Sequence, residues 1–381
     1  MKTVLLISNK VPHYRVSVYN YLHRRFQECG WDFKVASNVM LRESPQRVQF
    51  EFHEVEFKFS KYRELIRELK PDAVMLHLHL REPIFWLLIH WLRLKGMPVI
   101  SWTKGANLDR AESKFRYHLF NYAHSLSDAL VLYSEKQTNH IKPQNRHKIF
   151  AANNTVNFAD YPEVKESKEQ IKAELGIPFE KVVLFAGTMG IDGERKRVEH
   201  LIEIFRGLTQ PEVGLVLVGG GMSEELKAKV NPRNTVLLGP VHDAENRQIS
   251  RVFKAADIFV VPGHVGLGVN QAFYWGLPVV TEQCRQPPEI QYLKSGRNGF
   301  IVGDNNLAEL REMMLYLLDN EDVRQQFSLH AREDILREAS IEGMFEGFRK
   351  AVEFACRTRL EPGDSPVSAA RDVNAPVLAG K

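Results

Sequence analysis

Glycines between a strand and a helix are the residues of this chain best suited to bind a phosphate. Residues 255–280 read AADIFVVPGHVGLGVNQAFYWGLPVV, where an apolar strand ends at a Pro-Gly pair and a helix begins near Asn270. Amides at a helix start, with the positive end of its dipole, stabilise an anion close to the main chain. Gly266 and Gly268 let a diphosphate approach without a Cβ in the way. An ordinary βαβ turn gives the same pattern, so the glycines alone leave both interpretations open.

A basic cluster after another strand is suited to neutralise a leaving diphosphate. The segment FAGTMGIDGERKR, residues 185–197, places Arg195, Lys196 and Arg197 at the start of a helix. Cations beside a leaving group stabilise the charge that develops there. The competing interpretation is a solvated loop with charges flanking a helix. Three consecutive glycines in LVGGGM, residues 217–222, either meet a ligand in the same way or form a plain tight turn.

Polar side chains also follow strands in the first half of the chain. The segment LISNKVPHYR, residues 6–15, puts His13 and Arg15 at a strand end, and Lys104 follows a later strand in WTKG. Ligands of open α/β sheets bind at such strand ends. Arg15 is suited to pair with a phosphate, whereas His13 also fits a structural role.

His77 and His79 are the candidate metal ligands. Their spacing puts both on the same side of a strand. No third ligand is visible near them, and HExxH, Asp-x-Asp, Walker A and Ser-His-Asp motifs are missing from the sequence. We therefore expect no metal ion and no cofactor.

Alternating strands and helices must position these residues. Apolar strands separated by helices predict parallel sheets covered on both faces. The alternation stops at the polar segment 151–163 and then restarts, which predicts two doubly wound domains with a cleft between them. We predict an N-terminal domain at 1–155, completed by a helix at about 340–357, and a C-terminal domain at 160–337. Residues 358–381 have the composition of a disordered tail.

The charge of the chain is uneven. Residues 1–150 carry 24 Lys and Arg against 14 Asp and Glu, whereas the rest carries 27 against 33. A basic half favours anionic partners such as a membrane surface. No nucleic-acid-binding motif accompanies the charge, so we expect no nucleic-acid partner.

Several features point to a cytoplasmic protein. The composition, 44% hydrophobic and 26% charged, is that of a globular protein, and the three cysteines form no CxxC pair. The start, MKTVLLISNK, is predicted to be a first strand rather than a signal peptide. The longest apolar run, residues 84–92, is too short to span a bilayer and predicts a buried helix.

Seven motifs in order resemble the nucleotide-sugar glycosyltransferases of the GT-B fold, in particular glycosyltransferase family 4. They lie within residues 1–355 and read VPHYRVSVYNYL, NNTVNFADYP, FAGTMG…ERKRVEHLIEIF, LVLVGGG, NTVLLGPV, ADIFVVPGHVGLGVNQAFYWGLPVVT and PPEIQYLKSGRNGFIV. The resemblance implies an α/β protein of two Rossmann-like domains facing a central cleft. It implies a nucleotide sugar on the C-terminal domain, an acceptor on the N-terminal domain, and metal-independent transfer, usually with retention.

The resemblance also implies roles for individual residues. The catalytic candidates are Lys196, Arg195 and Lys104. Lys196 matches the lysine that holds the leaving diphosphate, Arg195 lies next to it, and Lys104 stands where the family has a histidine. The donor-binding candidates are Gly187, Thr188, Arg197, Gly220, Gly266, Leu267, Gly268, Val269, Asn270, Gln271 and Glu289. The acceptor-binding candidates are His13 and Arg15.

Three features depart from the family pattern. The paired glutamates of the family fall on Gly263 and Gln271, of which Gln271 can still accept a hydrogen bond from a ribose hydroxyl. The arginine of the diphosphate clamp falls on Thr188, which leaves an arginine next to Lys196 to replace it. The histidine of the N-terminal domain falls on Lys104.

We therefore expect a glycosyltransferase that moves a sugar from a nucleotide-diphosphate donor to a glycan or lipid-linked glycan acceptor, in cell-surface polysaccharide or glycolipid synthesis. We expect it at the inner face of the plasma membrane, with peripheral contact through the basic N-terminal domain. Two alternatives stay open. One is a non-catalytic GT-B module that binds glycan or assembles a complex, with which the three departures are consistent. The other is a sugar-nucleotide epimerase, against which the missing glutamates count.

Overall fold

The structure is a computed structural model. It describes residues 1–39, 46–77, 79–105, 114–190, 195–241 and 243–360. Within these residues the chain forms two all-parallel sheets, of seven and six strands. Of the predicted tail, residues 361–381 lie outside the described part of the chain.

The first sheet is built from residues 2–151. Its strands are β1 (Lys2–Ser8), β2 (Trp31–Ser37), β3 (Glu51–Glu54), β4 (Ala73–His77), β5 (Val99–Thr103), β6 (Ala129–Leu132) and β7 (Ile149–Ala151). The helices between them are α1 (His13–Glu28), α2 (Phe59–Leu69), α3 (Pro83–Leu94) and α4 (Lys114–Leu126). The strand order is β3-β2-β1-β4-β5-β6-β7. Because the order reverses between β1 and β4, a crevice opens at the carboxyl ends of these two strands.

The second sheet repeats this arrangement. Its strands are β8 (Lys181–Ala186), β9 (Val213–Val218), β10 (Thr235–Gly239), β11 (Ile258–Val260), β12 (Val279–Glu282) and β13 (Gly299–Val302), in the order β10-β9-β8-β11-β12-β13. The helices are α5 (Lys168–Glu174), α6 (Val198–Arg206), α7 (Glu224–Lys227), α8 (Arg247–Ala255), α9 (Gly268–Tyr274), α10 (Leu307–Asp319), α11 (Glu321–Glu338) and α12 (Ile341–Leu360). Here the order reverses between β8 and β11, and a second crevice forms there.

Strand β1 shows why its sequence is apolar throughout. Val4 and Leu6 belong to the core on one face of the sheet, and Leu5 and Ile7 belong to the core on the other face. Successive side chains of a strand point to opposite faces, so a sheet covered on both sides needs apolar residues at every position.

The last helix of the described chain, α12, returns to the first sheet. Its Phe345 and Phe348 lie in the same core as Tyr19 of α1, and the Phe348 ring meets Trp102 of β5 with centroids 4.9 Å apart. The predicted domain limits stay a prediction, but this packing places a C-terminal helix on the N-terminal sheet.

The sequence pattern missed the short edge strands β7 and β13, which have three and four residues. The pattern also predicts helix starts at about Val16 and near Asn270, whereas α1 begins at His13 and α9 at Gly268. Pro12 directly precedes α1, and proline suits a helix entry because its φ is fixed and the missing N–H is not needed there.

The predicted buried helix is buried on one face only. In α3, Leu88 and Ile89 are fully buried, whereas Leu87 is 50% and Leu94 is 86% exposed. Among the described helices, none combines the length and the apolar character that crossing a membrane requires.

Candidate active site

A cleft with a volume of about 1450 Å³ lies where the carboxyl ends of the two sheets face each other. Segments that follow β1, β4 and β5 line one side, and segments that follow β8, β9 and β11 line the other. This is where parallel α/β sheets bind ligands, because strand ends and helix starts meet there. The predicted central cleft is therefore present.

Most of the predicted site residues line this cleft. They are Lys196, Arg195, Lys104, Gly187, Thr188, Gly220, Gly266, Leu267, Gly268, Gln271, Glu289, His13 and Arg15. The structure does not bring the side chains of Arg197, Val269 and Asn270 to the cleft. Val269 is fully buried in the core, and Asn270 donates from Nδ2 to the main-chain oxygen of Asn154 over 3.2 Å.

Lys196 is the cation that lies among the glycines. Its Nζ donates to the main-chain oxygen of His264 over 3.2 Å, and a Cβ on Gly187 would come within 2.8 Å of its Cε. A side chain at position 187 would therefore displace the lysine. Burial lowers the pKa of Lys196 to about 8, while the nearby Glu289 carboxylate acts in the opposite direction. A lysine so placed gains stabilisation when an anion binds next to it.

The main chain beside Lys196 is fixed by Gly263. The Gly263 amide donates to the oxygen of Lys196 over 3.0 Å, and the His264 amide donates to the oxygen of Arg195 over 2.7 Å. A Cβ on Gly263 would lie 1.9 Å from the oxygen of Arg195. The position where the resemblance expects a glutamate is thus occupied by the protein's own main chain.

Glu282 is a positioning residue behind the cleft that sequence reasoning missed. This fully buried carboxylate accepts a hydrogen bond from Nη1 of Arg197 over 2.6 Å and lies 2.6 Å from Nδ1 of His200. Arg197 has φ of +54° and also pairs with Asp304, so it is held behind the cleft and stabilises the turn from Lys196 into α6. The one signal in the sequence was a carboxylate at the end of an apolar strand.

Asn154 is the second missed residue. It comes from the polar segment that was interpreted only as a boundary between domains. Its Oδ1 accepts from Nη2 of Arg15 over 2.7 Å, its Nδ2 donates to the Glu289 carboxylate, and its main-chain oxygen accepts from the Tyr292 hydroxyl over 3.0 Å. Asn154 therefore connects the two walls of the cleft.

Comparison with known proteins identifies the fold that gives this geometry. Residues 180–320 match the family model of the glycosyl transferases group 1. Crystal structures of Anabaena HepE in complex with UDP and with UDP-glucose superpose with TM-scores of 0.74 and 0.72, at 13% and 12% identity, over 93% of this chain and 100% of theirs. This chain has the GT-B fold. The GT-B fold that the resemblance of the seven motifs implies is confirmed.

The curated relatives align with a smaller part of this chain than the solved structures do. Spore coat protein SA of Bacillus subtilis is 23% identical over 186 residues, and an uncharacterized glycosyltransferase of Haemophilus influenzae is 24% identical over 193 residues. These alignments cover 45% and 48% of this chain. The chain spans about half the length of the curated relatives that it matches, 48% and 51%.

Gln271 lies at the second position where the GT-B resemblance expects a glutamate. Its Nε2 donates to the Tyr161 hydroxyl over 2.7 Å, and burial raises the pKa of Tyr161 to about 12. The phenol therefore stays protonated at neutral pH, and Gln271 keeps an amide oxygen that can accept a hydrogen bond.

His77 has a structural position in this GT-B cleft. Its ring stacks on Trp102 with centroids 4.1 Å apart, and its Nε2 lies 2.6 Å from the Tyr133 hydroxyl. Burial and then the charge of Arg15 lower the pKa of His77 to about 3, so the ring is neutral. His79 lies past the end of β4 and is exposed. No group of three or more His, Cys, Asp or Glu that could hold a metal occurs in the described part of the chain.

The two remaining N-terminal candidates lie on the same wall of the GT-B cleft. His13 is the first residue of α1, and its ring meets that of Tyr14 edge-on, with centroids 5.6 Å apart. Lys104 directly follows β5. Residues 106–113, after Lys104, and residues 191–194, before the basic cluster, lie outside the described residues.

Proposed function

We propose that this protein transfers a sugar from a nucleoside-diphosphate donor to a glycan or lipid-linked glycan acceptor. The observation that carries the proposal is Lys196, which burial leaves with a pKa of about 8 in a glycine-lined cleft. A diphosphate placed beside it restores the charge that burial disfavours. The same contact would strengthen as the diphosphate leaves with its full charge, which is the condition for lowering the barrier.

The roles of the other residues follow from their places in the cleft. Arg195 adds a second cation beside Lys196, and the main chain at Gly266 and Gly268 lets the diphosphate approach. Gln271 accepts a hydrogen bond from the donor ribose. We take UDP-glucose as the first donor to test, because HepE has been crystallised with it. We propose transfer with retention and without a metal.

The acceptor is proposed to bind the N-terminal wall, close to an anionic membrane. Leu94 at the end of α3 is 86% exposed, and Phe115 at the start of α4 is 74% exposed. Residues 1–150 carry a net charge of +10, from 24 basic against 14 acidic residues. Exposed apolar side chains on a basic domain suit peripheral contact with anionic lipid, as synthesis of a cell-surface polysaccharide at the inner membrane face requires.

A nucleotide panel tests the proposed function. UDP-, GDP- and TDP-sugars should be titrated by calorimetry, and we expect one base to bind and to raise the unfolding temperature with its occupancy. We also expect slow hydrolysis of that donor when no acceptor is present. If no nucleotide binds, the protein is a non-catalytic module. If a sugar nucleotide is converted to its epimer, the protein is an epimerase.

Donor binding should weaken above pH 8. Lys196 has a pKa of about 8 in this structure, and a bound diphosphate raises it, so binding at higher pH requires uptake of a proton. The Kd of the nucleotide should therefore rise by up to about tenfold per pH unit above pH 8. In Lys196→Arg, whose guanidinium stays protonated, the Kd should be level from pH 7.5 to 9.5. A level wild-type profile would contradict the assignment.

A further inference from the structure

The N-terminal wall of the cleft contains a buried cation far along the chain from Lys196. Arg15 lines the cleft, yet it is only 4% exposed. Its Nη2 donates to Asn154, while its Nη1 is buried and has no hydrogen-bond partner among the described residues. Its Cζ lies 4.9 Å from the centre of the Trp102 ring, which holds the guanidinium in place. A buried guanidinium with an unused donor has capacity for one more acceptor.

The groups around Arg15 do not supply a negative charge. Burial, more than the charge of Arg15, holds the pKa of His77 at about 3, so this ring is neutral. Burial also raises the pKa of Tyr19 to about 12 and that of Tyr133 well above its usual range, so both phenols keep their protons. The carboxylate connected to Arg15 is Glu289, at the far end of the Asn154 amide. The positive charge is thus only partly balanced.

Among the described residues, the lining of the N-terminal wall has more basic than acidic side chains. Its described lining includes the basic residues Lys10, Arg15, Arg81, Lys104 and Arg116, against the single carboxylate of Glu82. The opposite wall has Arg195 and Lys196 against Asp243 and Glu289. One sign of charge along one side of a cleft concentrates ligands of the opposite sign. The donor diphosphate accounts for the cations of the second wall, and the buried Arg15 belongs to the first.

Apolar side chains continue the same wall beyond Arg15. Phe85 of α3 and Phe115, Leu119, Phe120 and Ala123 of α4 line the cleft. Phe115 is 74% exposed, so this apolar surface reaches from the cleft to the outside of the protein. A ligand that matches both parts of the wall has an anionic group joined to an apolar chain.

We propose that Arg15 binds a phosphate ester of the acceptor, and that the apolar side chains of α3 and α4 contact the lipid attached to that phosphate. This inference rests on the proposed function and names the chemical class of its acceptor as a lipid phosphate. A guanidinium suits this task because its donors match the geometry of phosphate oxygens. A carboxylate on a glycan would use the cation but not the apolar wall.

Calorimetry with two amphiphiles tests this. The full chain, saturated with the nucleotide that it binds, is titrated with octyl phosphate and with octyl β-glucoside, both below their micelle concentrations. The bound nucleotide then occupies the site beside Lys196, so octyl phosphate does not bind there. We expect octyl phosphate to bind at least about tenfold more tightly, because a charge-assisted hydrogen bond contributes that much. Equal affinity of the two amphiphiles would overturn the inference, and this comparison needs no variant.

Variants then locate the contact. Arg15→Gln should weaken octyl phosphate binding by about tenfold or more. The matched control Arg67→Gln, at an exposed arginine of α2 that does not line the cleft, should change it by no more than about twofold. Equal losses in the two variants would overturn the assignment to Arg15.

A third ligand tests whether the anion that Arg15 binds is a lipid phosphate or a carboxylate of a glycan. Glucuronate has a carboxylate and no apolar chain, so we expect it to bind much more weakly than octyl phosphate. Glucuronate binding as tight as that of octyl phosphate and lost in Arg15→Gln would assign Arg15 to a glycan carboxylate and overturn the lipid phosphate. If no nucleotide binds, the proposed function fails, whereas the amphiphile comparison can still be made on the protein alone.

Discussion

Lys196→Ala should lower the turnover of sugar transfer by about 100-fold or more, which is the typical cost of losing one preorganised charge donor. The side chain lies among glycines, with its Nζ 3.2 Å from the main-chain oxygen of His264. Burial has already removed most of its water, so its interaction with a departing diphosphate is strong. Steady-state kinetics with a saturating donor would measure the loss.

The control for this variant is Lys229→Ala. Lys229 is exposed and forms an i,i+4 pair with Glu225, and we expect its loss to leave turnover unchanged. Lys196→Arg keeps the positive charge and should retain part of the activity. The unfolding temperature of each variant shows whether it is folded. A folded Lys196→Ala protein with near wild-type turnover would exclude Lys196 from the reaction.

The sheets could be predicted from the sequence because buried parallel strands leave a strong local signal. Strand β1 has an apolar residue at every position from Val4 to Ile7, and a strand with both faces covered requires this. Edge strands leave a weaker signal. Strand β7 has three half-buried residues, and β13 has four of which two are half-buried, so neither forms a long apolar run.

Residues of the candidate site could be predicted only where a single short segment of sequence contains the whole motif. Gly266, Gly268 and Lys196 stand in local strand-to-helix motifs, and all three line the cleft. Asn154 and Glu282 act through residues far away in the chain. Asn154 bonds Arg15 across 139 positions, and Glu282 bonds Arg197 across 85. No local pattern contains such partners.

Arg197 shows the limit of a spacing argument. The motif placed three basic residues together, but the chain has φ of +54° at Arg197 and pairs it with Glu282 and Asp304. Adjacent residues at a helix start point in different directions, so proximity in sequence does not put all three cations in the cleft. Arg195 and Lys196 line it, and Arg197 does not.

Gly263→Glu should disrupt donor binding rather than restore it. A Cβ at position 263 would lie 1.9 Å from the main-chain oxygen of Arg195, far inside van der Waals contact. The two segments are joined by hydrogen bonds of 3.0 and 2.7 Å and cannot separate without moving Lys196. We expect the free energy of unfolding to fall by about 1–3 kcal/mol, the usual cost of overpacking, and nucleotide affinity to fall at least tenfold. Chemical denaturation and calorimetry would measure the two effects.

Gly207→Glu is the matched control, since it makes the same substitution at an exposed glycine. A Cβ there would meet its nearest neighbour, the oxygen of Ile204, at an ordinary 3.8 Å. We expect Gly207→Glu to keep both stability and nucleotide binding. Gly263→Ala adds the Cβ without a charge and should reproduce most of the destabilisation, which would identify the close approach of the main chain as the cause. A Gly263→Glu protein of normal stability that binds the donor more tightly would show instead that position 263 is open. In that case the absence of a carboxylate at position 263, and not the packing against Arg195 and Lys196, would limit the affinity of this cleft for its donor.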